Sequence, residues 1–283
     1  MIEPILKSTF PSEMRNNPLQ SGLRFLNYTF NLLLLGTLLI TSCKKSTTSH
    51  DIPGNGNSGR IISFSGYNWL VKSSSAAISG TAAPGNNYFS DSAENVWTDK
   101  NGWLHLKITN RNGKLYCAEV TLVRPLGYKK YIFQVNSRIN GFHPNVVGGL
   151  FTYLDGTDNA EEIDLEFSRW GDINKVTNAQ YSIQPSDSIG NIKSFRVTLN
   201  GDASTHLFDW KPQKIDFASY HGQSTSPPAD STLIINKWTY SGKNIPVNQN
   251  GKIHINLWLF QSDKIDPNDD PETEMVIKSF QAL

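Results

Sequence analysis

Cysteine is scarce in this chain: the 283 residues contain two, Cys43 and Cys117. With Cys43 outside the domain, Cys117 has no partner for an internal disulfide. It lies between apolar strand residues and reads as a small buried hydrophobe rather than a nucleophile. The six histidines show no zinc-ligand spacing, so no metal centre is expected from them. An excess of either charge is also missing. Lys and Arg number 26 against 25 Asp and Glu. Residues 1–42 hold three bases and two acids, which leaves the remainder balanced. No basic stripe is available for nucleic acid. The apolar run Phe30–Ile40 has eleven residues, short of the ~20 that span a bilayer. Helical periodicity is lacking beyond two turns, except weakly near Pro271–Met275. No phosphate loop and no Ser-His-Asp order is visible.

The N-terminal residues carry a targeting signal. Phe30–Ile40 suits the core of a signal peptide, expected over residues 1–42. A start at Met14 would leave Arg15 and Arg24 before that core with no acid, the usual charge bias. The sequence Ile40-Thr41-Ser42-Cys43 resembles the lipobox of bacterial lipoproteins. That resemblance implies cleavage before Cys43 and lipidation of its thiol. It implies an exported protein anchored by lipid to a bacterial membrane, facing the periplasm or the cell surface. Residues 43–59 are polar and rich in Gly, Ser and Thr, and read as a flexible tether. Residues 60–283 contain no second linker and are expected to form one domain, a monomer.

That domain reads as strands separated by turns. Trp103–Ile108, Ala118–Val123, Tyr131–Ile139, Val146–Tyr153, Phe195–Leu199, His206–Trp210, Lys214–Phe217 and Lys252–Leu259 are short, apolar or alternating segments. Asn112-Gly113 marks a hairpin turn. The fold class expected is all-β, a sandwich or barrel.

One strand is unusual. In Glu162–Phe167, Ile163, Leu165 and Phe167 alternate with Glu162, Asp164 and Glu166. A period of two puts the apolar residues on a core and the three acids together on the opposite face. Like charges side by side do not stabilise a strand. They do suit glycoside hydrolysis, which uses two carboxyl groups, one as nucleophile and one as proton donor. Chance alone places acids at i, i+2 and i+4 about 0.2 times in such a chain, so the flanks matter. Phe167, Trp170 and the turn Gly171-Asp172 follow at once, and aromatic rings are what sugars stack on.

From Trp97 to Trp258 the chain resembles glycoside hydrolase family 16, whose fold is a β-jelly roll of two curved antiparallel sheets. Glu162-Ile163-Asp164-Leu165-Glu166 matches that family's Glu-x-Asp-x-Glu motif. His206-Leu207-Phe208-Asp209-Trp210-Lys211-Pro212 resembles its His-x-aromatic-x-Trp-x-Pro segment. Asn256-Leu257-Trp258 resembles its late Asn-Leu-Trp strand. Glu119, and the turn at Gly127-Tyr128, sit where the family has a cleft acid and a Gly-Tyr turn. The resemblance implies that Glu162 is the nucleophile, Glu166 the general acid and base, and Asp164 the residue that tunes Glu162. It implies a polysaccharide substrate cleaved internally with retention. The single residue between Asp164 and Glu166 is the shorter motif, which tilts the substrate toward β-glucan with 1,4-linkages.

Further substrate-binding candidates are Glu119, Trp170, Asn178, Gln180 and Trp258. The tryptophans would stack on sugars and the amides would bond hydroxyls. Tyr88 and Phe89 are candidates for one wall, while Trp97, Trp103, Trp210 and His206 are read as structural. Glu119 has Arg124 or Arg138 as alternative partners. No cofactor is required. The acidic run Asp266-Pro267-Asn268-Asp269-Asp270 is a candidate for structural Ca²⁺, although its spacing is not that of an EF-hand. Two rivals stand beside the hydrolase: a carbohydrate-binding module on the same fold, and a structural lipoprotein whose acidic face packs on Arg138 or Arg169. Transglycosylation in place of hydrolysis is also open.

Overall fold

Alternating apolar residues decide which side of each strand meets the core. The computed structural model describes residues 59–157, 161–266 and 269–283. Cys43, the signal segment and residues 43–58 of the tether lie outside them. Among the described residues, sixteen strands run in chain order. The first group is β1 (Ile61–Phe64), β2 (Tyr67–Val71), β3 (Tyr88–Phe89), β4 (Val96–Thr98), β5 (Leu104–Arg111) and β6 (Lys114–Leu122). Next come β7 (Lys130–Asn136), β8 (Val146–Tyr153), β9 (Ile163–Phe167), β10 (Ala179–Ile183) and β11 (Ile192–Phe195). The last are β12 (Ala203–Lys211), β13 (Lys214–His221), β14 (Ile234–Tyr240), β15 (Lys252–Leu259) and β16 (Thr273–Ala282).

Pairing arranges them in two layers. One is ordered β11-β10-β9-β8-β15-β6-β2-β1 and the other β14-β13-β12-β7-β16-β5-β4. The β5–β6 hairpin connects the layers at Arg111↔Lys114. Its turn residues Asn112 and Gly113 both have positive φ, 56° and 78°. Those angles are easy for Asn-Gly and match the strand twist. Every pair is antiparallel except β3 with β6, which is parallel. The result is an all-β jelly roll: the alternation implied an all-β sandwich or barrel, and the family resemblance the jelly roll.

The core lies between the layers. Ile163, Leu165 and Phe167 of β9 are all buried in it. Trp69 of one layer meets Phe280 of the other edge-on at 5.1 Å, and Phe280 meets Phe133 at 5.2 Å. Each fully buried ring contributes roughly 2–3 kcal/mol from removal of apolar surface.

Three expectations need correction. The weak helical signal at Pro271–Met275 leads into β16, whose Met275 and Ile277 are buried at period two. The strand expected at Phe195–Leu199 ends at Phe195. Beyond it the Asn178 side chain, not a strand, takes the Val197 N–H. The segment Tyr131–Ile139 stops as strand at Asn136 and turns through a short 3-10 segment at Ile139–Gly141.

Candidate active site

The face of the first layer opposite the core carries a groove of about 830 Å³. Cross-strand register builds it in rows. Gln180, Glu166, Gly149, Asn256 and Glu119 are successive neighbours on β10, β9, β8, β15 and β6. The adjacent row is Ser182, Asp164, Phe151, His254 and Thr121. Glu162 immediately precedes β9 rather than lying within it. Its carbonyl still accepts from Gln184 N–H at 3.2 Å, which keeps it in the period of the strand. Glu162, Asp164 and Glu166 therefore line one groove together.

Each acid has its own surroundings. Gln180 donates to Glu166 Oε2 at 2.9 Å. Ser182 Oγ and Gln184 Nε2 each donate to Asp164 Oδ2 at 3.0 Å. Asp164 is 3% exposed. Burial raises the proton affinity of all three. For Glu162, burial and then the Asp164 charge push the pKa up to about 11. For Glu166, burial and then Asp164 raise it to about 8, against the Gln180 hydrogen bond and the Lys175 charge. Asp164 is raised by burial and held back by hydrogen bonds from Gln184, Glu162 and Ser182, giving about 6. Near neutrality the three carboxyls share two protons and one negative charge. Glu162 and Asp164 share a hydrogen bond.

The opposite wall is a buried ion cluster. Glu119 is 3% exposed. It receives Lys72 Nζ at 3.0 Å on Oε2 and His254 Nδ1 at 3.1 Å on Oε1. Burial alone would raise its pKa, but Lys72 and then His254 outweigh that and hold it below the ordinary range. Arg124 and Arg138 are not its partners; Arg138 pairs with Asp202 at 3.6 Å. The Asn256 amide lies 3.5 Å from Glu119 Oε2, and its own Oδ1 is buried without a hydrogen bond. A Cβ at Gly149 would come within 2.5 Å of that Oδ1, so glycine there leaves room for the amide beside Glu166.

Of the aromatic candidates, Trp258 lines the groove and Trp170 does not. Trp170 packs edge-on against Trp258 at 6.1 Å and against Phe260 at 5.4 Å, so it supports Trp258 from outside. It holds φ 55°, a conformation uncommon for a bulky residue, with its N–H on Ser168 Oγ at 2.9 Å. Gln180 is not in the groove lining and is bonded to Glu166. Asn178 lies away from the groove: its amide donates to Val197 O at 3.0 Å and accepts Val197 N–H at 2.7 Å. Those two bonds fix the chain after β11 and account for its burial. Tyr88 and Phe89 also miss the groove, since Tyr88 packs on Tyr116 at 5.9 Å and Phe89 is buried beneath Lys72. The wall there is Ala83 and Pro84. Trp97 and Trp103 are half-exposed, not core; Trp97 stacks on His105 at 4.6 Å.

His206 is fully buried, bonded to Ser219 Oγ and Ser204 Oγ. Burial and the His221 charge lower its pKa to about 3, so it is a neutral structural residue. Among the described residues, no group of three or more His, Cys, Asp or Glu is arranged to hold a metal ion. The Ca²⁺ candidate includes Pro267 and Asn268, outside the described residues.

A curved two-layer β-sandwich with a carboxylate-lined groove is the class of protein these observations define. No protein-family model and no curated sequence matches the chain. Solved structures do match it in fold. The Bacillus licheniformis beta-glucanase is 23% identical with a TM-score of 0.53, covering 81% of this chain and 94% of that one. A glycoside hydrolase family 16 endo-glucanase from Bacteroides ovatus is 14% identical with a TM-score of 0.54, covering 76% and 94%. A Mycobacterium tuberculosis protein described as a pseudo beta-1,3-glucanase is 16% identical with a TM-score of 0.55, covering 76% and 90%. The chain has the jelly-roll fold of the family 16 glucanases.

Proposed function

We propose that this protein is a retaining, endo-acting glycoside hydrolase that cleaves a β-glucan. The observation that carries this reading is the placement of Glu162, Asp164 and Glu166 side by side on one groove face. Glu166, held by Gln180 and raised by burial, keeps a proton for the glycosidic oxygen. The proton on Glu162 passes along its hydrogen bond to Asp164, whose carboxylate is oriented by Ser182 and Gln184. Glu162 then attacks the anomeric carbon as a carboxylate while Glu166 protonates the leaving oxygen. A glycosyl ester on Glu162 and a free chain end result. Glu166, now ionised, takes a proton from water, and the hydroxide oxygen displaces Glu162. Two displacements at one carbon restore its configuration.

Groove shape supports a polymer substrate, since the lining crosses five strands and includes Trp258. The one-residue spacing of Asp164 and Glu166 and the names of the neighbours, a beta-glucanase and an endo-glucanase, support β-glucan. A non-catalytic binding reading keeps a place because one fold neighbour is called a pseudo-glucanase. The acidic face packed on bases has less support, since Arg138 pairs with Asp202 and the acids take neutral partners. Export and attachment through a lipid on Cys43 complete the proposal, and both rest on the sequence alone.

The test is incubation with mixed-linkage glucan, xyloglucan, laminarin, agarose and carrageenan beside a Glu162→Gln control. New reducing ends on a β-glucan that vanish in the control are expected. A folded protein that binds glucan without product would favour the binding reading.

A further inference from the structure

A second pocket, of about 260 Å³, opens outside the groove. Arg169, Lys175 and Arg196 line it, with no carboxylate in the lining. The described ion pairs of lysine and arginine lie elsewhere, at Lys72, Arg111, Arg138, Lys211 and Lys214. Three cations lining one small space repel each other; the Glu166 charge reaches Lys175, but among the described ion pairs no carboxylate offsets that at Arg169 and Arg196. An oxyanion would. Arginine forks match planar or tetrahedral oxyanions with paired hydrogen bonds.

Two more features narrow the ligand. Asn140 lines the same pocket, and its Oδ1 is buried without a hydrogen bond. A bare anion leaves that acceptor unsatisfied, whereas a hydroxyl donates to it once the Asn140 amide turns its oxygen, shut from solvent here, toward the pocket. Ile173 and Val176 also line the pocket and are 65% and 68% exposed. They offer apolar surface of the kind that the C–H face of a sugar ring covers. The volume is just below the ~300 Å³ at which drug-sized sites begin, room for one sugar unit rather than a chain.

We infer that this pocket is a second, non-catalytic sugar site that takes a single anionic sugar unit, its carboxylate or sulfate on Arg169 and Arg196 and a hydroxyl on Asn140. The glycan this protein meets would then carry anionic units, held apart from a groove that is itself rich in carboxylates. The inference does not depend on hydrolysis, because binding alone reads it out.

The experiment is a chemical-shift titration of the ¹⁵N-labelled full-length chain at fixed ionic strength. The probes are glucuronate, glucose 6-sulfate, glucose and inorganic sulfate. Amides of 169–178 and 195–198 should shift with glucuronate, glucose 6-sulfate or both, more weakly with sulfate, and not with glucose. Which anionic sugar binds tells a carboxylate unit from a sulfate unit. The double variant Arg169→Gln/Arg196→Gln should weaken that binding by about tenfold or more, with the remaining spectrum unchanged. Sulfate binding as tightly as the anionic sugars would overturn the assignment. So would affinity unaltered in the variant, or no shifts in these segments. Substrate cleavage enters none of these readouts, so a failed hydrolysis assay leaves the result standing.

Discussion

At the scale of residues, the site sets function against stability. Asp164 has a folded pKa raised to about 6 from 3.8. The folded state therefore binds its proton more tightly than the unfolded chain does. Stability from this group is full below pH ~4 and is lost as pH rises to about 6. The loss is of order 3 kcal/mol. Asp164→Asn removes that burden. The variant should resist urea better than the parent at pH 7, by about 1–3 kcal/mol, and the gain should fade toward pH 4. Its kcat should fall about 10²-fold or more, since Glu162 loses its proton acceptor. Glu119 behaves in the opposite sense. Its pKa is held down by Lys72 and His254, so its contribution is present above pH ~4.5 and lost as pH falls through the folded value. Lys72→Met leaves that buried carboxylate short of a partner. A loss of about 3 kcal/mol at pH 7 is expected, shrinking at pH 3, measured by urea unfolding at both.

These residues were unevenly legible. Glu162, Asp164 and Glu166 stood out because period two forces them to one face. Glu119 was legible as a cleft acid, but its partners were not. Lys72 lies beyond the end of β2, 47 positions before Glu119, and no local pattern links them. His254 had a weak signal, being two positions before Asn256 on a strand already assigned. Asn178 misled for a physical reason. It shares the period of Gln180, but at the end of a sheet its amide bonds the neighbouring backbone instead of the groove.

At the scale of elements, register does the positioning. β8 is the clearest case. Its Gly149 stands across from Glu166 on one side and Asn256 on the other. Gly149→Ala would press a methyl to 2.5 Å from Asn256 Oδ1. The amide must turn, so kcat/KM should drop at least about tenfold, with a stability cost of about 1–3 kcal/mol. Steady-state kinetics and thermal melting would separate the two effects. β8 and β15 were read from sequence with their observed bounds, because both are long and apolar and flanked by turn residues. Four others were not. β1, β2, β4 and β14 carry few apolar residues or only one buried face, and pairing rather than propensity holds them. β16 was masked by Pro271 and by the polar run before it.

At the scale of the molecule, pH and chemistry are tied. In the proposed mechanism the reacting state has two protons and one negative charge among three carboxyls. That state exists above about 6, where Asp164 ionises, and below about 8, where Glu166 does. A plot of kcat/KM against pH should be bell-shaped with limbs near those values. Glu166→Gln should remove the alkaline limb along with most activity on unactivated substrates. A monotonic profile in the parent would contradict the shared-proton arrangement.

The central claim is that Glu162 and Glu166 cleave a β-glucan by double displacement. Time-resolved proton NMR of mixed-linkage glucan digestion tests it most directly. The β-anomer of the new reducing end is expected first, with the α-anomer growing later by mutarotation, and no signal with Glu162→Gln. An α-anomer formed first, or product undiminished in that variant, would contradict it.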